Sequence, residues 1–175
     1  MITADDYLEW QGVAVPPGTG IGSIHDITPD GSAMCGWAGS PPFLTGWVVQ
    51  MFSGVKYGRD LTPAHTMDLA GSGGSSLGDT LTVTTSGASS ATTFTLLSAA
   101  DGNVAALGGV FLINLALPII SVPAAVTGGS STFDIDIPID NALLGLGLYM
   151  QSIETDGGQV AGFAFSNGLR MFVRS

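Results

Sequence analysis

Basic residues are scarce in this sequence. Lys and Arg together number 4, against 14 Asp and Glu, which gives the 175 residues a formal net charge of −10. Nucleic-acid binding depends mainly on Lys and Arg side chains that neutralise phosphates, and anionic lipid surfaces repel a chain of this charge. The composition therefore excludes DNA, RNA and anionic lipid as main partners, and it leaves divalent cations open.

Cysteine is almost absent. Cys35 is the single cysteine, so no disulfide can form within the chain. A domain of this length buries enough apolar surface to fold without one. We expect Cys35 to be a small buried apolar residue, with a reactive or intermolecular thiol as the alternative. Charged residues make up only 10% of the chain and hydrophobic ones 45%, which indicates a folded domain.

Histidine is also rare, and this limits the catalytic sites that the chain can build. His25 and His65 are the two histidines, and no Gly-x-Ser-x-Gly motif is present. A Ser/His/Asp site needs a histidine held against a nucleophile, and zinc needs a set of Cys and His ligands. The glycine-rich residues 71–78 do not lead into a lysine-containing helix, so they predict a linker rather than a phosphate-binding loop. We expect no enzymatic activity.

No apolar run of membrane-spanning length is free of helix-breaking residues. Residues 104–126 are the most apolar stretch, but glycines, an asparagine and two prolines interrupt it. Because the stretch is rich in β-branched residues, it predicts two buried strands, at 110–117 and 119–126, rather than a transmembrane helix. The first residues are acidic and lack the apolar region of a signal peptide, which taken alone predicts a cytoplasmic chain. Taken with the two resemblances described below, it suggests a mature fragment or a trimmed chain.

The first 51 residues combine one short helix with short β segments. Residues 1–12 predict an amphipathic helix with Thr3 as N-cap, acidic residues in its first turn, and Gly12 at its end. Short β segments follow, separated by turns such as Pro29-Asp30-Gly31, where proline presets φ and glycine accepts a positive φ. Leu8 and Trp10 on the helix need something to cover them.

Strand patterns become regular after a predicted linker at 52–78. Residues 80–84, 92–97 and 133–139 alternate polar and apolar side chains, as half-buried strands do. Asp140 is placed to cap a single helical turn that Gly145 closes. Ser166-Asn167-Gly168 predicts a hairpin turn between two last strands, because Asn-Gly suits a type I′ turn.

These patterns predict an all-β fold. We expect a β-sandwich or jelly-roll-like domain over residues 79–175, preceded by an N-terminal β extension at 1–51, because many short strands occur at regular spacing without a long helix.

The N-terminal part resembles a known repeat. Residues 7–18 (YLEWQGVAVPPG), 24–32 (IHDITPDGS), Gly36-Trp37 and 46–49 (GWVV) resemble a HAF-type repeat, the β-propeller-like repeat of secreted and surface bacterial proteins. The resemblance covers residues 1–51. A single repeat cannot bury its own apolar face. The resemblance therefore implies that this part packs on the following domain or on another chain.

The C-terminal part carries a second resemblance. Residues 132–151 (TFDIDIPIDNALLGLGLYMQ) and 164–169 (AFSNGL) are similar to the C-terminal domain of many large secreted proteins of planctomycetes and myxobacteria. This similarity covers roughly residues 77–175. It implies an extracellular or cell-surface location and carries no established catalytic motif. Members often have a cysteine pair that this chain lacks, so no disulfide role transfers.

Three acidic side chains form the candidate metal site. Asp134 and Asp136 share one face of a predicted strand, and Asp140 lies just beyond. Calcium takes six to eight oxygen ligands, so these carboxylates are candidate calcium ligands. The alternative is a solvated acidic face that discourages strands of other chains from pairing at a sheet edge.

Large apolar side chains of the N-terminal part form the candidate interface. They are Leu8, Trp10, Trp37, Phe43 and Trp47. Aromatic residues of this kind dominate the energetics of protein interfaces. Core packing is one alternative. A sugar-binding surface is another, because flat aromatic rings stack on pyranose rings.

The sequence thus predicts an extracellular structural subunit. We expect copies of the chain to associate with one another, as a filament or sheath formed by strand addition between subunits. One alternative is a surface adhesion or carbohydrate-binding module, with a surface polysaccharide as partner. Another is the cleaved C-terminal sorting or anchoring domain of a larger secreted protein.

Overall fold

The computed structural model describes residues 3–11, 13, 21–28, 33–40, 43–50, 54–58 and 61–175. The chain is mostly β, as predicted, with one short helix. Helix α1 spans Ala4–Trp10 and a single 3-10 turn spans Asn141–Leu143. The strands are β1 Ile21–Ile27, β2 Ala33–Ser40, β3 Phe43–Gln50, β4 Val55–Tyr57, β5 His65–Gly73, β6 Thr80–Ser86, β7 Thr92–Ser98, β8 Asp101–Ala106, β9 Gly109–Ile113, β10 Ile120–Ala125, β11 Ser130–Asp136, β12 Gly147–Thr155 and β13 Phe163–Phe172.

Helix α1 begins where the sequence predicts. The Thr3 hydroxyl accepts from the Asp6 N–H at 3.1 Å, and the Asp6 carboxylate accepts from the Thr3 N–H, which forms a capping box. At the other end, the Gln11 side chain donates to Lys56 O at 2.9 Å and accepts from the Lys56 N–H at 2.8 Å. These two bonds hold the end of α1 against β4. Gly12 lies outside the described residues.

Strands β1, β2 and β3 form a small antiparallel sheet in that order. Its inner face packs on helix α1 and on β4, with Leu8, Met34 and Val55 at the centre of the contact. The resemblance predicts that this part needs a neighbour to cover its apolar face, and the chain's own helix covers the inner face. The predicted turn at residues 29–31 lies outside the described residues.

The main sheet is nearly closed and barrel-like, with mixed strand directions. Its order is β10-β7-β12-β13-β5-β6-β11, and β4 also pairs with β13. Strand β5 runs parallel to β13, and the other pairs are antiparallel. The edge strands β10 and β11 are joined by a tight turn in which Gly128 and Gly129 have φ of +61° and +79°. The two edges of the sheet therefore meet at this turn.

The main core lies inside the rolled sheet. Leu69, Leu81, Met150 and Leu169 are almost fully buried there. On the outer side, the hairpin of β8 and β9 covers β12 and β13 through a smaller cluster around Phe165.

The structure contradicts the hairpin turn predicted at Ser166-Asn167-Gly168. Strand β13 runs through this sequence without a turn. Gln151 pairs with Gly168 and Ile153 with Phe165, so two residues of β13, Ser166 and Asn167, lie opposite the single residue Ser152 of β12. This is a β-bulge, which Asn and Gly accommodate as readily as a turn. The two predicted last strands are one strand.

The apolar run at 104–126 is also corrected in part. Strand β9 is largely buried, but residues 115–120 are all exposed, and β10 is an edge strand. The prediction of a strand buried on both faces at 119–126 is therefore wrong. Among the residues that the structure describes, no helix is both long and apolar enough to cross a membrane.

Other local predictions correspond well to the structure. Leu81 and Val83 are buried as the alternation in β6 predicts. Asp140 caps its single turn by accepting from the Ala142 N–H at 2.9 Å. Gly145 follows with φ of +79°. The range 52–78, predicted as a linker, instead contributes β4 and β5 to the main sheet.

Candidate functional site

The predicted interface residues lie in different environments. Leu8 is 1% exposed and sits in the core between α1 and the small sheet, so it is not available to another chain. This corrects the interface prediction at Leu8, because the helix turns its apolar side inward. Phe43 lies in β3, and its side chain is outside the described part of the structure.

Trp37 and Trp47 point to opposite faces of the small sheet. Each faces a glycine across the strand pair: Trp47 is opposite Gly36, and Trp37 is opposite Gly46. Trp47 packs inward against the cluster around Leu8, whereas Trp37 is 45% exposed. Only Trp37 of this pair presents a large surface to a partner.

The outer face around Trp37 is partly apolar. The His25 ring meets Trp37 edge-on at 6.2 Å, and Val48 is mostly exposed. Cys35 lies opposite Val48 and is a free, partly exposed cysteine rather than a fully buried one.

Trp10 lines a pocket of about 410 Å³ between the end of α1 and strands β4 and β5. The Lys56 ammonium lies in this pocket, 2.7 Å from the Asp68 carboxylate. Lys56 is only 9% exposed, whereas the Asp68 side chain is nearly half exposed. Glu9 and Thr66 add further polar groups to the lining. The pocket therefore places hydrogen-bond donors and acceptors beside an aromatic ring.

His65 lies at the same pocket but joins strands. Its Nε2 accepts from the Val110 N–H at 3.1 Å, and its Nδ1 is 3.0 Å from Ser166 O. Because Nε2 is the acceptor, the proton lies on Nδ1, which donates to Ser166 O. The ring also stacks on Phe165 at 5.5 Å. These contacts tie β5 to β9 and β13.

The predicted calcium ligands are not brought together. Asp134 accepts from the Thr82 hydroxyl at 2.7 Å and Asp136 from the Thr80 hydroxyl at 2.8 Å, while Asp140 caps its helical turn. In the described part of the chain, no group of three His, Cys, Asp or Glu side chains is arranged to hold a metal ion. Because β11 is an edge strand, the structure instead favours the alternative, an acidic face that discourages edge pairing.

Glu154 is a buried carboxylate that the sequence patterns did not single out. It is 2% exposed and accepts from the backbone N–H and the hydroxyl of both Ser89 and Ser90, at 2.8–3.1 Å. Burial raises the pKa of Glu154, but these hydrogen bonds outweigh burial and lower the pKa from 4.5. In β12, Met150 and Ser152 are also buried, and this spacing is the signal that places Glu154 on the inner face.

The edge of β10 is the longest uncharged edge in the described part of the main sheet. No charged residue occurs between Asp101 and Asp134. The Val126 N–H donates to Ala91 O, so the backbone groups of alternate residues of β10 bond to β7. The backbone groups of the other residues, Ser121, Pro123 and Ala125, therefore point away from the sheet. No described strand pairs with that side. We call this strand, with residues 115–119 before it, the β10 edge.

The β10 edge exposes large apolar side chains. Ile120 is 66% exposed, and Leu115, Leu117 and Ile119 are each more than one-third exposed. The β11 edge differs, because its exposed face carries Asp134 and Asp136. Carboxylates placed opposite one another destabilise strand pairing, so the two edges have opposite tendencies.

Comparison with known proteins adds no relationship. No family model matches the chain, and no curated protein or solved structure matches it. The two resemblances described above therefore stay predictions.

Proposed function

We propose that this protein is an extracellular structural subunit that associates with copies of itself by strand addition at the β10 edge. The observation that carries the proposal is an uncharged run of exposed apolar residues, 115–120, that continues into a strand edge with which no described strand pairs. An unpaired edge is a template for another strand, and charge or bulges usually protect it. The β10 edge has one such protection, Pro123, which has no N–H to offer.

Pro123 restricts the register of pairing, because its ring takes the place of an N–H on the open side of β10. In a twofold antiparallel pairing centred on Pro123, Ser121 of each copy lies opposite Ala125 of the other, and each of these pairs exchanges two backbone hydrogen bonds. The central Pro123 pair contributes none, and Ala125 lies beside the turn where β10 meets β11, so the two edges must separate there for the pairing to form. This pairing brings the exposed side chain of Ile120 against the partner strand.

The free energy of this contact is modest. Fully burying one Ile or Leu side chain contributes about 1.5–3 kcal/mol. Association costs about 4–15 kcal/mol of translational and rotational freedom. The partly exposed side chains of the β10 edge therefore support weak association at high concentration.

A filament or sheath needs a second contact, because a twofold contact alone closes into a dimer. The outer face of the small sheet supplies a candidate, since Trp37 and Val48 are exposed there. The β10 edge carries none of the acidic residues that give the chain its net charge of −10, whereas the outer face of the small sheet carries the exposed Asp26, opposite Cys35. Repulsion between copies is screened by salt, so association should strengthen as ionic strength rises.

Sedimentation velocity at increasing protein concentration tests the proposal. Ser121→Pro removes an N–H that points away from the sheet, so it should weaken association and leave the fold intact. Thr132→Pro is the matched control, because Thr132 faces the open side of β11. We expect the wild type and the control to associate equally and the Ser121→Pro variant to sediment as a monomer. A wild type that stays monomeric, or two variants that behave alike, would contradict the proposal.

We propose the other predictions made from the sequence as well. The extracellular location rests on the composition and the two resemblances. The sandwich or jelly-roll description rests on the strand pattern, with opposite parts of the rolled sheet facing one core.

A sorting or anchoring role as part of a larger protein would be supported by a longer precursor, detected by mass spectrometry in the source cells. A carbohydrate-binding role is the second candidate, favoured by the pocket at Trp10.

A further inference from the structure

We infer that the pocket between α1 and strands β4 and β5 binds a neutral sugar ring, with Trp10 as its stacking surface. The inference gives the carbohydrate-binding candidate a site and is independent of self-association at the β10 edge. It differs from the sequence prediction, which spread the sugar surface over several tryptophans.

The pocket forms where two strands diverge from β13. Strand β5 pairs with β13 up to Ser166, and β4 pairs with it from Gly168 onward. At the fork, the Asn167 side chain accepts from the Leu69 N–H at 2.8 Å and donates to Leu69 O at 3.0 Å. Asn167 is 4% exposed, so these bonds form the buried floor of the fork.

Two hydrogen bonds also hold the side of the pocket that α1 forms, opposite Asn167. The Gln11 side chain makes two bonds to the backbone of Lys56, which fixes the end of α1 over β4. Trp10 immediately precedes Gln11, and its ring also meets Tyr7 edge-on at 6.1 Å. Hydrogen bonds on both sides therefore preorganise the pocket, and preorganisation lowers the entropic cost of binding.

The ion pair in the pocket selects for hydroxyl groups. Lys56 Nζ contacts only one carboxylate oxygen of Asp68 at 2.7 Å, and an ammonium carries three N–H donors. A sugar hydroxyl both donates and accepts, so it can accept from Lys56 and donate to Asp68 at the same time. Neighbouring hydroxyls on a ring suit such a donor and acceptor pair.

Anionic ligands fit the pocket poorly. A phosphate or carboxylate meets Glu9 and Asp68 in the lining of a chain whose net charge is −10. An ammonium ligand is attracted by these carboxylates and repelled by Lys56, so a methylamine titration is the control that separates a charge effect from sugar binding. The pocket of about 410 Å³ has one indole ring among mostly polar side chains, so it suits a ligand rich in hydroxyl groups better than an apolar one.

Titration of methyl glycosides of glucose, galactose, mannose and N-acetylglucosamine, followed by NMR, tests the inference. We expect at least one glycoside to bind with a dissociation constant on the order of 1 mM. The shifted signals should include the Trp10 indole and the backbone of Asp68. Trp10→Ala should weaken binding at least about tenfold, whereas Trp10→Phe should retain it because a ring remains.

Trp37→Ala is the matched control, because Trp37 lies on the outer face of the small sheet. It should leave glycoside binding unchanged. Thermal unfolding of each variant separates loss of binding from loss of folding. The inference is overturned if no glycoside shifts the pocket signals, or if Trp10→Ala and Trp37→Ala change binding equally. Neither outcome bears on the β10 edge, which sedimentation tests separately.

Discussion

Replacing Glu154 with glutamine removes the charge of a buried carboxylate and keeps its shape. In the wild type, one carboxylate oxygen accepts from the N–H and the hydroxyl of Ser89, and the other accepts from the N–H groups of Ser89 and Ser90 and from the Ser90 hydroxyl. The glutamine oxygen can still accept from Ser89. Its amide group instead faces the Ser90 N–H, so one partly buried donor loses its acceptor.

The expected cost follows from those contacts. A buried donor left without an acceptor costs about 1–3 kcal/mol, and hydrogen bonds to a charged group exceed neutral ones by about 1 kcal/mol. We therefore expect Glu154→Gln to lower the free energy of unfolding by about 3 kcal/mol. For a domain of this size the loss corresponds to a fall in Tm of roughly 6–12 °C.

The difference in unfolding free energy between the wild type and Glu154→Gln should be larger at neutral pH than in acid. Because the pKa of folded Glu154 is lowered from 4.5, its stabilisation is fully present above that pH. The stabilisation is lost as the pH falls through the lower pKa of the folded state. The difference in unfolding free energy should therefore have its full size at neutral pH and become smaller in acid.

Urea unfolding at neutral pH and at about pH 3 measures both effects. Glu9→Gln is the matched control, because Glu9 is exposed and the chain's other glutamate. It should change stability by less than about 0.5 kcal/mol. The reasoning is refuted if Glu154→Gln is as stable as the wild type at neutral pH, or if the gap is unchanged in acid.

Two further substitutions test the bulge in β13. Gly168→Ala should destabilise the protein by about 2 kcal/mol or more, because the added Cβ would overlap the Tyr57 ring. Gly157→Ala, where nothing lies within 4 Å of the added Cβ, should be neutral to within about 0.5 kcal/mol in the same thermal unfolding assay. Asn167→Asp places an oxygen against Leu69 O in place of a donor. It should cost about 3 kcal/mol by urea unfolding, and a stability within experimental error of the wild type would contradict the role given to this side chain.

Local patterns predicted the elements whose causes are local. The alternation in β6 and β11 follows from the two faces of a strand, and Leu81, Val83 and Asp134 lie on the expected sides. Helix α1 and the turn at Asp140 were readable because their caps use neighbouring residues.

The features that the sequence did not reveal depend on distant parts of the chain. Asn167 bonds to Leu69, which is 98 residues away, and this contact decides that Asn-Gly forms a bulge rather than a turn. The pocket likewise joins Gln11 to Lys56 across 45 residues. The exposure of residues 115–120 depends on β10 being an edge strand, and hydrophobic periodicity does not predict the order of strands in a sheet.

Hydrogen exchange of the β10 amides tests the central claim most directly. Val122 and Ala124 bond to β7, so their amides should be protected at every protein concentration. The amides of Ser121 and Ala125 face the open side. They should exchange rapidly in dilute protein and become protected under conditions that favour association. The account is contradicted if copies associate while the Ser121 and Ala125 amides exchange as rapidly as they do in the monomer.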